Sequence, residues 1–412
     1  MRYEKSETLL NSALQVIPNG TGTFSKSRYS YPFGISPYFA DHAKGSHIWD
    51  VDGNEYVDFV SGLCPIILGY ADDDVDKAVI EQMKKGSIFS LPSKLEIEVA
   101  ELLCHYIPCA EMVRFGLNGS DATTGAVRLA RAYTNREHVA CCGYHGWHDW
   151  YIGTTGRRAG VPLSTCELTH SFKFNDLTSL MDIFDRYYNQ VACVILEPMM
   201  AEWPKGGFLE GVKELCDQNK AVLIFDEVIT GFRWSMGGAQ KVFGVTPDLA
   251  CVGKAMANGY PISAVVGNRE IMKVIEKTHY SFTFSGTCTG LAATRETLYK
   301  LEETKALDSI HRMGGILVMG LKEIIQRHSA NVELSGHPAR SVIKFPREAN
   351  KWVFLQEMFK RGILIQDAHN LTYSHSGNDI MKLLDIYDEV IPILDTEEFK
   401  GQKYESNFKV RS

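Results

Sequence analysis

No two of the ten cysteines stand at Cys-x-x-Cys spacing, which removes the commonest zinc and thiol-redox signatures. Several lie inside apolar runs such as Val191-Ala-Cys193-Val-Ile, so reduced, mostly buried thiols of a cytoplasmic protein are expected. No run of about 18 apolar residues occurs, the length a membrane-spanning helix needs. The opening residues, Met1-Arg-Tyr-Glu-Lys-Ser-Glu-Thr8, are charged where an export signal is apolar. Neither a membrane span nor export is expected. Long blocks of like charge are missing too: 43 basic and 50 acidic residues leave a net charge of −7 with no broad basic footprint for nucleic acid. No Gly-x-Gly-x-x-Gly follows an early strand, so the dinucleotide fingerprint is absent. With 35 glycines and 14 prolines the chain is neither collagenous nor disordered. What remains is a 412-residue globular composition, 45% hydrophobic and 23% charged, long enough for two or three domains or one large α/β unit with an appendage.

Residues 46–60 alternate apolar and polar side chains around Asp52-Gly53, a hairpin signal near the N-terminus. Two amphipathic helices follow at 74–85, closed by Gly86, and at 94–107, opened by the capping-box pattern Ser93-x-x-Glu96. From about 112 to 290 short apolar runs at 138–142, 191–196, 221–225, 248–252 and 263–267 alternate with helical stretches, among them 121–133 and 207–219. Such alternation predicts an α/β fold with a mostly parallel sheet covered on both faces. Beyond 291 helical periodicity dominates, with a strand candidate at Gly362–Gln366 and a last helix near 378–394. The expected division is a large domain over 60–290 and a small α+β domain built from 1–59 and 291–412.

Parallel-sheet enzymes place chemistry at the carboxyl ends of strands. Here Asp226-Glu227 follows 221–225, Glu197-Pro198 follows 191–196, Lys254 follows 248–253, and Gly143-Tyr144-His145-Gly146 follows 139–142. Asn118-Gly119-Ser120-Asp121 opens the helix 121–133, where backbone N–H groups and a hydroxyl can receive an anion. Each has an ordinary structural reading: a cap or ion pair for Asp226, a surface lysine for Lys254, an N-cap at Asn118–Asp121, a core aromatic for Tyr144. His145 and His148 could suggest a metal pair, but no third ligand stands nearby and no metal is expected. Together the set reads differently. A phosphate cradle, a ring-stacking aromatic, a carboxylate for a pyridinium nitrogen and a lysine for an aldehyde are the contacts that pyridoxal phosphate (PLP) requires.

The chain resembles the class III PLP-dependent aminotransferases, in the branch that includes glutamate-1-semialdehyde 2,1-aminomutase. The resemblance rests on Trp49-Asp-Val-Asp-Gly-Asn-Glu-Tyr56, Asn118-Gly-Ser-Asp-Ala-Thr123, Tyr144-His-Gly146, Glu197-Pro198, Asp226-Glu-Val-Ile-Thr-Gly-Phe-Arg233, Pro247-Asp248, Gly253-Lys254 and Thr283-Phe-Ser-Gly286, and covers roughly residues 15–390. It implies the PLP-dependent transferase fold type I, a large domain with a mostly parallel, seven-stranded-type sheet plus a small α+β domain, working as a homodimer with the site at the subunit interface. It implies that Lys254 carries the cofactor and acts as general base and that Asp226 pairs with the ring nitrogen. Tyr144 would stack on the ring and Gly119 and Ser120 bind the phosphate with Thr283 of the neighbouring subunit. His145, Glu197 and Val228 would be further cofactor contacts. Ser25, Lys26 and Arg28 fall where that branch has a substrate loop, and Arg157, Arg158, His369 and Asn370 are candidate rim residues.

Two departures from the aminomutase pattern bear on the reaction. The glycine triplet after the lysine is replaced by Ala255-Met-Ala-Asn-Gly259-Tyr-Pro261, and the segment between Tyr144 and Val161 is shorter than the aminomutase gating loop. The expected function is therefore transfer of an amino group from an amino donor to a small polar or sugar-derived carbonyl compound by a ping-pong mechanism. The alternatives are glutamate-1-semialdehyde 2,1-aminomutase, or another PLP enzyme such as a lyase, decarboxylase or epimerase.

Overall fold

The computed structural model describes residues 2–402. The chain forms two compact units, one running to Asp72 and resuming at Lys305, the other spanning Asp73–Thr304. These boundaries lie beyond the expected 59/60 and 290/291. The physical reason is that helices Asp73–Met83 and Cys288–Glu303 pack against each other within the larger unit.

The larger unit is built on a seven-stranded sheet. Its spatial order is Met112–Gly116, Ser263–Gly267, Leu249–Val252, Val222–Asp226, Val191–Leu196, His138–Cys142, Thr169–Ser171. The last five strands run parallel, whereas Ser263–Gly267 is antiparallel to both neighbours, so Met112–Gly116 points the same way as the five. Successive strand residues face opposite sides. Val139, Cys141, Cys193, Ile195, Val222 and Ile224 pack with the helix Gly119–Thr134 on one face. Ala140, Cys142, Val194, Leu196, Leu223 and Phe225 pack with Phe208, Leu209 and Val212 of the helix Phe208–Asn219 on the other. Both faces are covered, which is why these strands read as unbroken apolar runs.

Two strands were not anticipated. Met112–Gly116 is interrupted by Arg114, whose guanidinium Nε and Nη2 donate to the Tyr280 carbonyl at 3.1 and 2.8 Å, and Thr169–Ser171 is three residues long at the opposite edge. The helix Lys94–Tyr106 starts at the expected capping box, with Ser93 Oγ accepting from Leu95 N–H and Glu96 Oε1 from Ser93 N–H.

In the smaller unit the hairpin pairs His47–Asp50 with Glu55–Asp58, Ile48 opposite Tyr56, around a turn in which Gly53 takes φ +86°. Ile363–Leu364 adds to Glu55–Asp58 in parallel, so the two ends of the chain share one sheet. A second sheet, Glu333–His337, Arg340–Lys344 and Ala368–Asn370, and the helices Ala306–Arg327, Glu348–Lys360 and Gly377–Val390 complete it. No helix among the described residues is long and apolar enough to cross a membrane.

Candidate active site

Because five strands and Met112–Gly116 share one direction, their carboxyl ends lie along one edge of the sheet. That edge carries Asn118-Gly119-Ser120, Lys254, Asp226, Glu197 and Tyr144. The chain leaves edge strand Met112–Gly116, crosses one face as the helix Gly119–Thr134 and re-enters at His138–Cys142, so the helix N-terminus belongs to the same edge.

Asn118 caps this helix, its side chain accepting from Asp121 N–H while Asp121 Oδ2 accepts from Leu117 and Asn118 N–H, both at 3.0 Å. Gly119 and Ser120 therefore present first-turn amides that no upstream carbonyl receives. Ser120 Oγ accepts from Trp147 N–H at 3.2 Å, which draws the Tyr144–Trp147 loop onto the helix start. The approach is tight: Gly146 has φ +101°, and a Cβ there would stand 2.2 Å from Ser120 Oγ. A Cβ on Gly119 would likewise stand 3.1 Å from Val228 Cγ1. Gly146→Ala is accordingly expected to push Ser120 out of place and weaken PLP binding by about tenfold or more, since left-handed backbone already costs an L-residue roughly 1–2 kcal/mol. Titration of the apoprotein with PLP checks this; wild-type affinity in the variant would contradict it.

His145 Nδ1 donates to Asp226 Oδ2 at 2.8 Å, and both side chains are buried, at 0% and 6% exposure. Asp226 Oδ1 accepts from Val228 N–H at 3.1 Å. His145 Nε2 is buried with no hydrogen-bond partner, an unsatisfied polar atom in the middle of the site. Glu197 Oε1 accepts from Tyr144 N–H at 2.8 Å. Burial pushes the Glu197 carboxyl above the usual carboxylate range and the Asp226 charge adds to this, while the Tyr144 N–H, His145 and Lys254 oppose it. Lys254 is thus close enough to be felt electrostatically at Glu197. It follows an extended Gly253 and itself takes φ +43°, a strained conformation for a residue with a side chain. Tyr144 is 48% exposed, and its ring rests edge-on against Tyr151 at 5.6 Å.

Gly119, Ser120, Tyr144, His145, Glu197, Asp226, Val228 and Lys254 therefore share one edge. The other expected residues do not join them within this chain's described contacts. Thr283 is exposed elsewhere on the larger unit. Ser25 is exposed and Arg28 half-buried in the smaller unit, where the Ser25 carbonyl accepts from Gln366 Nε2 at 2.7 Å. Arg157 is half-buried, its N–H donating to Thr155 Oγ1 at 3.2 Å. Asn370 and His369 are not rim residues: both are buried, His369 between Ser341 Oγ and Tyr387 OH at 2.9 and 2.7 Å, and Asn370 with its amide on the Val60 carbonyl at 2.9 Å. Two supporting groups went unassigned in the sequence. Buried Glu227 accepts from Ala239 and Gln240 N–H at 2.6 and 2.9 Å and so pins the loop that carries Val228, and Thr123 Oγ1 donates to the His145 carbonyl at 2.8 Å. Only the adjacency of Glu227 to Asp226 hinted at the first.

The sequence model of the family described as aminotransferase class-III matches residues 31–381. The chain belongs to the class III aminotransferases. It is 38% identical over 396 residues to the 3-aminobutyryl-CoA aminotransferase of Cloacimonas acidaminovorans, covering 92% of this chain and 95% of that protein. To the glutamate-1-semialdehyde 2,1-aminomutase of Desulforamulus reducens it is 34% identical, over 93% of this chain and 96% of that protein. Among solved structures, the FumI protein of Sphingopyxis sp. MTA144, determined with PLP in place, superposes with a TM-score of 0.89 at 29% identity over 95% and 97% of the two chains. An omega-transaminase from Sphaerobacter thermophilus superposes with a TM-score of 0.88 at 26% identity over 95% and 99%. This class III enzyme has fold type I, and its cofactor is pyridoxal 5′-phosphate.

Proposed function

We propose that this class III enzyme is an intermolecular transaminase that passes an amino group from an amino donor to a separate carbonyl acceptor in two half-reactions. The observation that carries the reading is the segment after Tyr144-His145-Gly146. It is anchored rather than free: Trp150 Nε1 donates to Thr124 Oγ1 and Tyr151 OH to the Gly143 carbonyl, each at 2.8 Å, and Thr154 and Thr155 are buried. A segment held down in this way favours exchange of substrate between half-reactions over retention of one molecule for an internal shift. The relative named for 3-aminobutyryl-CoA favours an acceptor whose carbonyl lies β to an acyl group over the sugar-derived acceptors expected from sequence.

The residues fit the cofactor. Gly146 and Gly119 lie too close to Ser120 and Val228 to carry a Cβ, which holds the Tyr144–Trp147 loop and the Val228 loop against the helix start, where an anion would meet N-terminal amides and the Ser120 hydroxyl. PLP, when bound, supplies an electron sink through its protonated ring nitrogen. Gly119 and Ser120 hold its phosphate. Asp226, fixed by His145 and the Val228 amide, keeps a proton on the ring nitrogen. Tyr144 covers one ring face, and Glu197 holds the Tyr144 backbone in place. Lys254 Nζ would hold the cofactor covalently and, as a free amine, would serve as the base that takes up the donor-carbon proton.

A homodimer completes the proposal, with Thr283 supplied to the partner's phosphate site. Exposed Met83, Leu91, Ile97 and Phe284 on the larger unit support burial against a second copy.

The test follows a ¹⁵N-labelled donor. With glutamate or alanine as donor and 3-oxobutyryl-CoA as acceptor, the label is expected in the aminated product. Conversion of glutamate 1-semialdehyde to 5-aminolevulinate without any added donor would replace this reading with the aminomutase. Arg28 offers a second check. If its guanidinium holds a substrate carboxylate with both arms, Arg28→Lys raises KM for acidic substrates far more than for neutral ones, and equal effects would remove it from the site.

A further inference from the structure

At the edge of the large sheet, beside strand Thr169–Ser171, the structure has a cleft of about 530 Å³ whose lining includes Arg158, Glu167, Thr169, Ser171, Asp182 and Arg186. Its volume falls within the roughly 300–1,000 Å³ of small-molecule sites. Three features mark it as more than a surface fold. Thr169 is 6% exposed, and its Oγ1 is buried with no hydrogen-bond partner. Four charged side chains of both signs, Arg158, Arg186, Glu167 and Asp182, all exposed, line the cleft without an ion pair to another described residue. One side is rigid and neutral: His170 Nε2 is 2.8 Å from His138 Nδ1, and Tyr187 stacks on both rings at 4.1 and 4.4 Å. Burial holds the His170 imidazole down to about 4, so it brings no charge near neutral pH.

We propose that this cleft is a second, non-catalytic site for a free amino acid. Its carboxylate is met by Arg158, Arg186 and the Thr169 hydroxyl, and its ammonium by Glu167 or Asp182. A simple anion would face two carboxylates and a simple amine two guanidiniums, whereas a zwitterion uses both signs. This assignment uses Arg158, which the sequence suggested for the substrate rim, and goes beyond the transaminase reading without depending on its direction.

The experiment is calorimetric titration of the holoenzyme after borohydride reduction, which fixes PLP to Lys254 and prevents amine exchange in the catalytic pocket. The probes are 2-aminoisobutyrate and its two halves, pivalate and tert-butylamine. The zwitterion is expected to bind at one site per chain at least about tenfold tighter than either half, the loss expected when one of two charge-assisted contacts is removed. Thr169→Val and Arg186→Met are each expected to weaken it about fivefold or more. Neither should alter the PLP absorbance or the donor KM of unreduced enzyme. No binding, pivalate binding as tightly as the zwitterion, or an affinity unchanged in both variants would each overturn the proposal. PLP that dissociates on denaturation after reduction would instead count against Lys254 as the tether, which keeps the two failures apart.

Discussion

Lys254→Ala is expected to lower turnover by about 10³-fold or more, because in the proposed mechanism one side chain supplies both the covalent tether and the proton-transferring amine. The folded state should survive. Lys254 sits on the turn after the apolar strand Leu249–Val252, and its departure removes no core packing. Two readouts separate chemistry from structure. PLP should then be removable by dialysis, with no visible band of the lysine-bound cofactor. Small primary amines added to the solution should restore part of the proton transfer, which a merely structural lysine would not allow. Turnover within tenfold of wild type would remove Lys254 from the mechanism.

Asp226→Ala carries the second largest expected effect. The carboxylate is buried against His145 and the Val228 amide, and removing one partner of such a pair typically costs about 3–5 kcal/mol. In rate this is about 10² to 5 × 10³-fold on kcat if that stabilisation is realised at the ring nitrogen. The same change leaves His145 Nδ1 buried without an acceptor, so thermal stability should fall as well. Asp226→Asn separates the two effects: it keeps an acceptor for His145 and most of the stability, yet lacks the charge that in the proposed mechanism holds a proton on the ring. A kcat close to wild type in Asp226→Asn would assign the carboxylate to structure alone.

The strands that place these residues were legible because they are buried on both faces. Val191–Leu196 appears at the limits its apolar run suggested, and 221–225 is displaced by one residue to Val222–Asp226. Met112–Gly116 and Thr169–Ser171 were not legible. At the sheet edges one flank is open, so Arg114 and His170 are tolerated and the pattern breaks. The site followed the same logic. Asp226 ends its strand and Glu197, Lys254 and Tyr144 stand within two residues of the ends of theirs, so sequence order alone placed them. What depends on contacts between distant segments stayed hidden. Asn370 and His369 looked like rim residues until the pairing of Ala368–Asn370 with Arg340–Lys344 buried them. The cleft around Thr169 is assembled from three stretches that nothing in their composition connects.

The most direct test of the central claim is a visible absorption spectrum of the purified protein, taken before and after single amino donors, with Lys254→Ala beside it. The expected result is a band from the lysine-bound cofactor that one donor, glutamate or alanine among those tried, abolishes and a keto acid restores, and no such band in the variant. The absence of a band even after PLP is added, or the same band in Lys254→Ala, would contradict it.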